Sequence, residues 1–151
     1  MIKIICVGKI KEKYLIDAIK EYEKRLSKYT KLKIIEVNDI DNPSIDIVLS
    51  KEKELIIKYI EEKDYVITLE IEGNMLSSEE LATKIDSIFN INSNITFIIG
   101  GSYGLHNDIK KRSNYKLSFS KLTCPHQLFR VNLLEQIYRS YKINNNESYH
   151  K

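Results

Sequence analysis

Hydrophobic and polar positions along the chain switch repeatedly between a two-residue and a helical period, and each switch predicts a change of element. Ile2 to Val7 is an apolar run broken only by Lys3 and ended by Gly8, the pattern of a strand buried on both faces. From Glu12 to Tyr29, apolar residues at Tyr14, Leu15, Ala18, Ile19, Tyr22 and Leu26 recur with helical spacing, and Lys and Glu fill the other face. Leu32 to Val37 predicts a second strand, Asn38 to Ser44 carries turn chemistry, and a helix is centred on Lys51 to Ile60. Tyr65 to Ile71 is a β-branched third strand. Gly73-Asn74 then turns the chain toward Ser77, placed to cap a helix over Ser78 to Phe89 with Glu80 reaching back. A strand ending at Ile99, a short helix at Asn107 to Arg112 and an alternating strand from Tyr115 to Ser120 follow. Pro125 suits the first turn of a last helix, whose stripe of Leu134, Ile137, Tyr138 and Tyr141, broadened by Phe129 and Leu133, is wider than one sheet face needs. That width suggests partial burial in a subunit interface. The polar tail from Ile143 to Lys151 is expected to be loosely ordered unless something binds it.

This alternation predicts one α/β domain over residues 1–151 with a mostly parallel sheet and ligands beyond the carboxyl ends of the strands. A length of 151 residues suffices for one core without disulfides or metal. No apolar stretch approaches a bilayer span, and Met1 leads directly into the first strand, so the expectation is a cytoplasmic protein with no export signal and no membrane partner. Cys6 and Cys124 form neither a disulfide framework nor a zinc spacing, so no metal is expected.

The formal charge of +3 hides a strong segregation. Residues 1–33 carry ten Lys or Arg against four acids, residues 34–108 five against fifteen, and residues 109–151 nine against two. If the fold joins Lys9, Lys11, Lys13, Lys24, Arg25 and Lys28 to Lys110, Lys111, Arg112 and Lys116, a positive face able to follow a phosphate backbone results. Solvated helix faces with i,i+4 partners account for the charge equally well.

Two segments carry candidate chemistry. Gly100-Gly101-Ser102-Tyr103-Gly104 follows a strand and uses three of the five glycines in the chain. A Rossmann nucleotide-binding fingerprint belongs in the first strand-to-helix turn, which here holds Gly8 alone, and no P-loop Lys-Ser or Lys-Thr pair follows Gly104. With no basic residue, the loop suits an uncharged nucleoside better than a phosphate, or is simply a tight turn. The second segment, Leu117 to His126, is a strand exit rich in small hydroxyls, whose main-chain groups need partners that a ligand can supply.

Together, Gly100 to His106, Leu117-Ser118-Phe119-Ser120, Thr123-Cys124-Pro125-His126-Gln127, Arg130 to Tyr138, the ending Tyr149-His150-Lys151 and the opening Val7-Gly8-Lys9-Ile10-Lys11 resemble the SPOUT methyltransferases of the ribosomal large-subunit methyltransferase H family. The likeness covers essentially the whole chain. It implies a C-terminal trefoil knot, a homodimer with its active site near the subunit interface, and S-adenosylmethionine as methyl donor. The substrate it implies is a pseudouridine in a 23S rRNA stem-loop of the ribosome, methylated at N3. By the same likeness Leu69 and Gly100 border the cofactor, while Phe119, Ser120, Lys121, Leu122, Thr123 and Cys124 wrap it, chiefly through main-chain groups. Cys124 stands where a larger apolar residue is usual, and Ser102-Tyr103 is a variant filling of the glycine loop.

Such a reaction needs no nucleophilic side chain, but the imide proton of the acceptor must leave, which calls for a base or for anion-stabilising donors. Composition leaves His150 open between a terminal histidine without a role and a base. The resemblance, in which a Tyr-His-basic ending recurs beside the active site, makes His150 the preferred base, Tyr149 a group that stacks on or hydrogen-bonds the substrate base, and Lys151 a phosphate contact. His126 and Arg130 share a face of the last helix. Arg130, taken as a third catalytic candidate, either orients substrate or pins the cofactor loop, or forms a dimer ion pair. Two other classes compete with the enzyme: a noncatalytic RNA-binding dimer of the same fold, and a Rossmann-type nucleotide binder.

Overall fold

The strands β1 (Ile2–Val7), β2 (Leu32–Val37), β3 (Tyr65–Met75), β4 (Ile95–Ile99) and β5 (Tyr115–Ser118) form one sheet in the order β2-β1-β4-β3-β5. The computed structural model describes Met1–Lys151. All four strand pairings are parallel, which fits β1 and β4, mainly apolar, β-branched and buried on both faces despite Lys3 and Thr96. The helices are α1 (Lys13–Leu26), α2 (Ile45–Ile57), α3 (Ser78–Phe89), α4 (Asn107–Arg112) and α5 (His126–Asn144). Alternation along the strands divides the core in two. Ile2, Ile4 and Cys6 pack with α1, α3 and α5 through Ile19, Ile85, Leu134 and Ile137. Ile5 and Val7 pack on the other face with Ile56 of α2 and Ile109 of α4.

Local chemistry sets most boundaries. Ser77 accepts a hydrogen bond from the Glu80 amide at 3.1 Å, and Glu80 accepts one from the Ser77 amide at 3.0 Å, the reciprocal box expected at the start of α3. Ser44 caps α2 by accepting from the Ile47 amide, so this helix starts at Ile45 and ends at Ile57, well before the Ile60 limit expected from its pattern. Pro125 occupies the N-cap of α5, just outside the first turn expected for it.

Three other expectations are corrected. Gly73-Asn74 does not turn the chain. After a register shift, β3 continues through it, pairing Asn74 with Leu117 and Met75 with Ser118. A Cβ at Gly73 would lie 2.9 Å from the Lys116 and Leu117 backbone, so this glycine permits a close strand crossing. The tail is not loose: Tyr149 and His150 fold back on α5 and α3. Nor does the fold assemble one positive face from the two basic ends, because α1 and α4 lie on opposite faces of the sheet. Arg112 is also committed, donating to the carbonyls of Glu61, Glu62 and Asp64.

Candidate functional site

Because β4, β3 and β5 are parallel neighbours, their carboxyl ends open side by side, and the loops leaving them enclose a cleft of about 830 Å³. Leu69, Gly100, Phe119, Ser120, Leu122, Thr123 and Cys124 all line it. The fold thus brings together residues separated by fifty positions of sequence, as a topological crossing in a parallel sheet does. Lys121 lies in the same loop, exposed, and is not among the residues lining the cleft.

The glycine loop is shaped by contacts with itself. Gly104 donates its amide to the Gly101 carbonyl at 3.1 Å and has φ +78°. A Cβ on Gly100 would meet the Gly104 carbonyl oxygen at 2.5 Å. The glycines therefore let the backbone fold back on itself, and Ser102 and Tyr103 form the exposed tip. The facing loop is pinned to α5 by Phe119, whose ring meets Phe129 edge-on at 4.7 Å between centroids. Within it the Ser120 hydroxyl accepts from the Leu122 amide at 3.0 Å, and the Ser118 hydroxyl donates to the Ser120 carbonyl at 3.3 Å.

Glu70, Glu72, Lys110, His126 and Asn132 also line the cleft. The two acids do not stand out in the sequence. Their one signal is the alternation Leu69-Glu70-Ile71-Glu72 at the carboxyl end of a parallel strand. Glu70 accepts from the Thr68 hydroxyl at 2.6 Å and faces the Lys110 ammonium at 3.8 Å. Burial first, and then the nearby Arg130 cation, hold His126 below its ordinary range, so its ring is neutral near pH 7. An apolar wall, main-chain groups and a few polar side chains line the cleft, and its volume is that of a small-molecule site.

Arg130 stands outside this cleft. Only 2% exposed, it donates to Glu36 at 2.6 Å and to the Gly8 carbonyl at 3.1 Å. Gly8 has φ +93°, and Glu36 also accepts from the Ile10 amide at 3.0 Å. The guanidinium therefore ties the start of α5 to the turn after β1.

Tyr149 and His150 lie elsewhere again. The Tyr149 hydroxyl donates to Glu135 at 3.0 Å, its ring meets Tyr138 edge-on at 5.1 Å, and the Arg139 guanidinium sits 4.8 Å from its centre. Glu135 also receives the Tyr22 hydroxyl at 2.7 Å and Arg139 at 2.7 Å. Burial, reinforced by Glu135, raises both phenols, so they remain donors at neutral pH. His150 lies with Nδ1 3.1 Å from Arg139 and Nε2 2.6 Å from Glu79. Since arginine only donates, Nδ1 accepts and Nε2 carries the proton toward Glu79. Thirteen residues of α5, about 20 Å of helix, separate His126 at the cleft from Arg139 at the tail. Within one chain the cofactor-loop candidates gather and the tail candidates stand apart.

Residues 1–150 match a protein-family model described as "Predicted SPOUT methyltransferase". The chain is 55% identical to the ribosomal RNA large subunit methyltransferase H of Clostridium novyi over 157 aligned positions, covering 99% of each. It is 51% identical to the protein of the same name from Clostridium kluyveri, with the same coverage. Among solved structures, that of a "probable methylase family protein" from Haemophilus influenzae superposes with TM-score 0.59 at 14% identity, over 99% of this chain and 70% of that one, and shares the fold.

Proposed function

The chain belongs to the SPOUT methyltransferase family, and from that premise we propose that it transfers a methyl group from S-adenosylmethionine to N3 of a pseudouridine in the 23S rRNA of the ribosome. The observation that carries this reading is the cleft at the ends of β3, β4 and β5, which joins Leu69, the glycine loop and the Phe119 to Cys124 loop. When bound, the donor supplies a methyl group already activated on a sulfonium, so the protein's part is to position the acceptor and handle its proton. Leu69, Ile99 and Leu117 offer the adenosine an apolar wall, and main-chain groups of the two loops hold its edges. Glu70 and Glu72 complement the positive end of the molecule.

The proton at N3 goes to His150, with Tyr149 stacked on or bonded to the base. The length of α5 keeps these groups from the cleft of their own chain, so in this reading they serve the cleft of a partner subunit, and the active unit is a homodimer in the cytoplasm. The Nδ1 lone pair of His150 is the proton acceptor. Arg139, which occupies it in the free tail, gives way to the substrate imide. The trefoil knot is part of the same proposal. Its support is the return of the chain from β5, at the sheet edge beside β3, to α5 packed on α1 and α3.

Incubating ribosomes that lack the modification with the protein and labelled S-adenosylmethionine, then mapping rRNA nucleosides by mass, tests the reading. One labelled N3-methylpseudouridine in 23S rRNA is expected. Intact cofactor binding without transfer would leave a noncatalytic RNA-binding dimer in its place.

A further inference from the structure

Ten of the 24 lysines and arginines have a carboxylate partner within the chain. Lys3 is buried against Asp64 at 2.8 Å, Arg130 against Glu36, Arg139 against Glu135 and Lys142 against Glu147. On the outer side of α1 the pattern differs. Lys20, Lys24 and Lys28 follow one another at i, i+4 and i+8, all exposed, and Lys31 follows in the turn before β2. Lys20, Lys24 and Lys31 form no ion pair, and Lys28 approaches a carboxylate only at 3.5 Å, from Glu147. The acids beside the stripe are largely taken: Asp17 by Lys13 at 2.7 Å, Glu21 by Arg25 at 3.0 Å, and Glu147 by Lys142 and Tyr29. Glu23 alone remains free. Beside Lys28 and Lys31 the surface dips into a shallow hollow of about 590 Å³ that Glu23, Ser27 and Thr30 also line.

This surface adjoins the tail. The Tyr22 hydroxyl of α1 and the Tyr149 hydroxyl share Glu135, and Tyr29, at the end of the stripe, bonds Glu147 two residues before Tyr149. A polyanion laid along the lysines is therefore led toward Tyr149 and His150. We propose that Lys20, Lys24, Lys28 and Lys31 form the docking surface for the phosphate backbone of the substrate RNA. This rests on the function proposed above. Ammonium groups at one-turn spacing, with only Lys28 near a carboxylate, suit successive phosphates.

The test compares binding of deproteinised large-subunit rRNA by wild type, by K20Q/K24Q/K28Q and by a control, K51Q/K58Q/K63Q, which removes the same charge from the α2 side. Binding is measured across a salt series, with S-adenosylmethionine affinity and thermal unfolding followed in parallel. Each lost phosphate contact flattens the log-log salt dependence by about 0.7–0.9. The stripe variant should therefore lose about 2 in slope and at least about tenfold in affinity at moderate salt, while the control changes little. Equal losses in the two variants, or no loss in a folded stripe variant, would overturn the proposal. So would wild-type binding to phosphatidylglycerol vesicles but not to RNA. If rRNA binds through the stripe while ribosomes that lack the modification receive no methyl group, the function proposed above fails and the docking surface stands.

Discussion

Arg130 shows how a residue's chemistry depends on what surrounds its head group. Four positions after His126 on a helix, it has the spacing of a substrate-facing pair, yet its guanidinium is buried on Glu36 and the Gly8 carbonyl. Replacing it with Ala should cost about 1.5–3 kcal/mol, the range for hydrogen bonds to a charged group, since Glu36 keeps partial access to water. Urea denaturation measures this, and Arg130→Lys should recover only part, because an ammonium cannot span both acceptors. Cys6 lies close by, and burial pushes its thiol up to about 12, which leaves it a core residue without thiolate chemistry. Glu52 is a second buried case: 5% exposed, it accepts from the Ile40 amide and faces the glycine loop at Gly101. Burial, with Asp39 adding to it, raises its carboxyl above the ordinary 4.5. Folding thus takes up a proton, and stability falls as pH rises from that ordinary value through the raised one. Glu52→Gln should therefore raise the melting temperature near pH 7, and the gain should vanish below pH 4.5.

At the scale of elements, the loops that close the cleft are held by their own backbones. Gly100 and Gly104 are both glycines for steric reasons, but different ones. In Gly100→Ala the new Cβ would meet a carbonyl oxygen at 2.5 Å, so the loop must move. In Gly104→Ala the Cβ meets open space, and the penalty is the roughly 1–2 kcal/mol of a left-handed backbone. Titration with S-adenosylmethionine should show a loss above about tenfold, about 1.4 kcal/mol, for Gly100→Ala, with retained far-ultraviolet circular dichroism. The loss for Gly104→Ala should be smaller, its effect appearing mainly in stability.

For the whole molecule, the length of α5 is the decisive quantity. It keeps Tyr149 and His150 from the cleft of the same chain, so activity in the proposed reading depends on assembly. At S-adenosylmethionine concentrations well below the raised Kd of Gly100→Ala, subunits lacking residues 147–151 should be inactive alone and subunits carrying Gly100→Ala nearly so. Mixed dimers should recover up to about half the wild-type activity per dimer, because one of the two clefts in a mixed dimer has both a sound loop and a sound tail. Methyl transfer by verified mixed dimers measures this, and no recovery would show that each tail serves its own chain.

Local chemistry makes much of the fold legible in the amino-acid sequence: the near-continuous apolar runs of β1 and β4, the Ser77–Glu80 box and the helical stripes act through neighbours in sequence. The candidate cofactor loops are legible too, because glycine clusters and hydroxyl-rich strand exits advertise backbone without regular partners. Only tertiary contact decides the rest. Gly73 belongs to a strand because β5 passes against it, Arg130 is an anchor because Glu36 and Gly8 reach it from β2 and the end of β1, and the tail docks because Glu135, Arg139 and Glu79 converge there. Glu70 and Glu72 join the cleft because β3 lies between β4 and β5. A sequence encodes preferences over a few residues directly, but which distant group satisfies a buried charge or crosses a glycine is set by the packing of all the elements together.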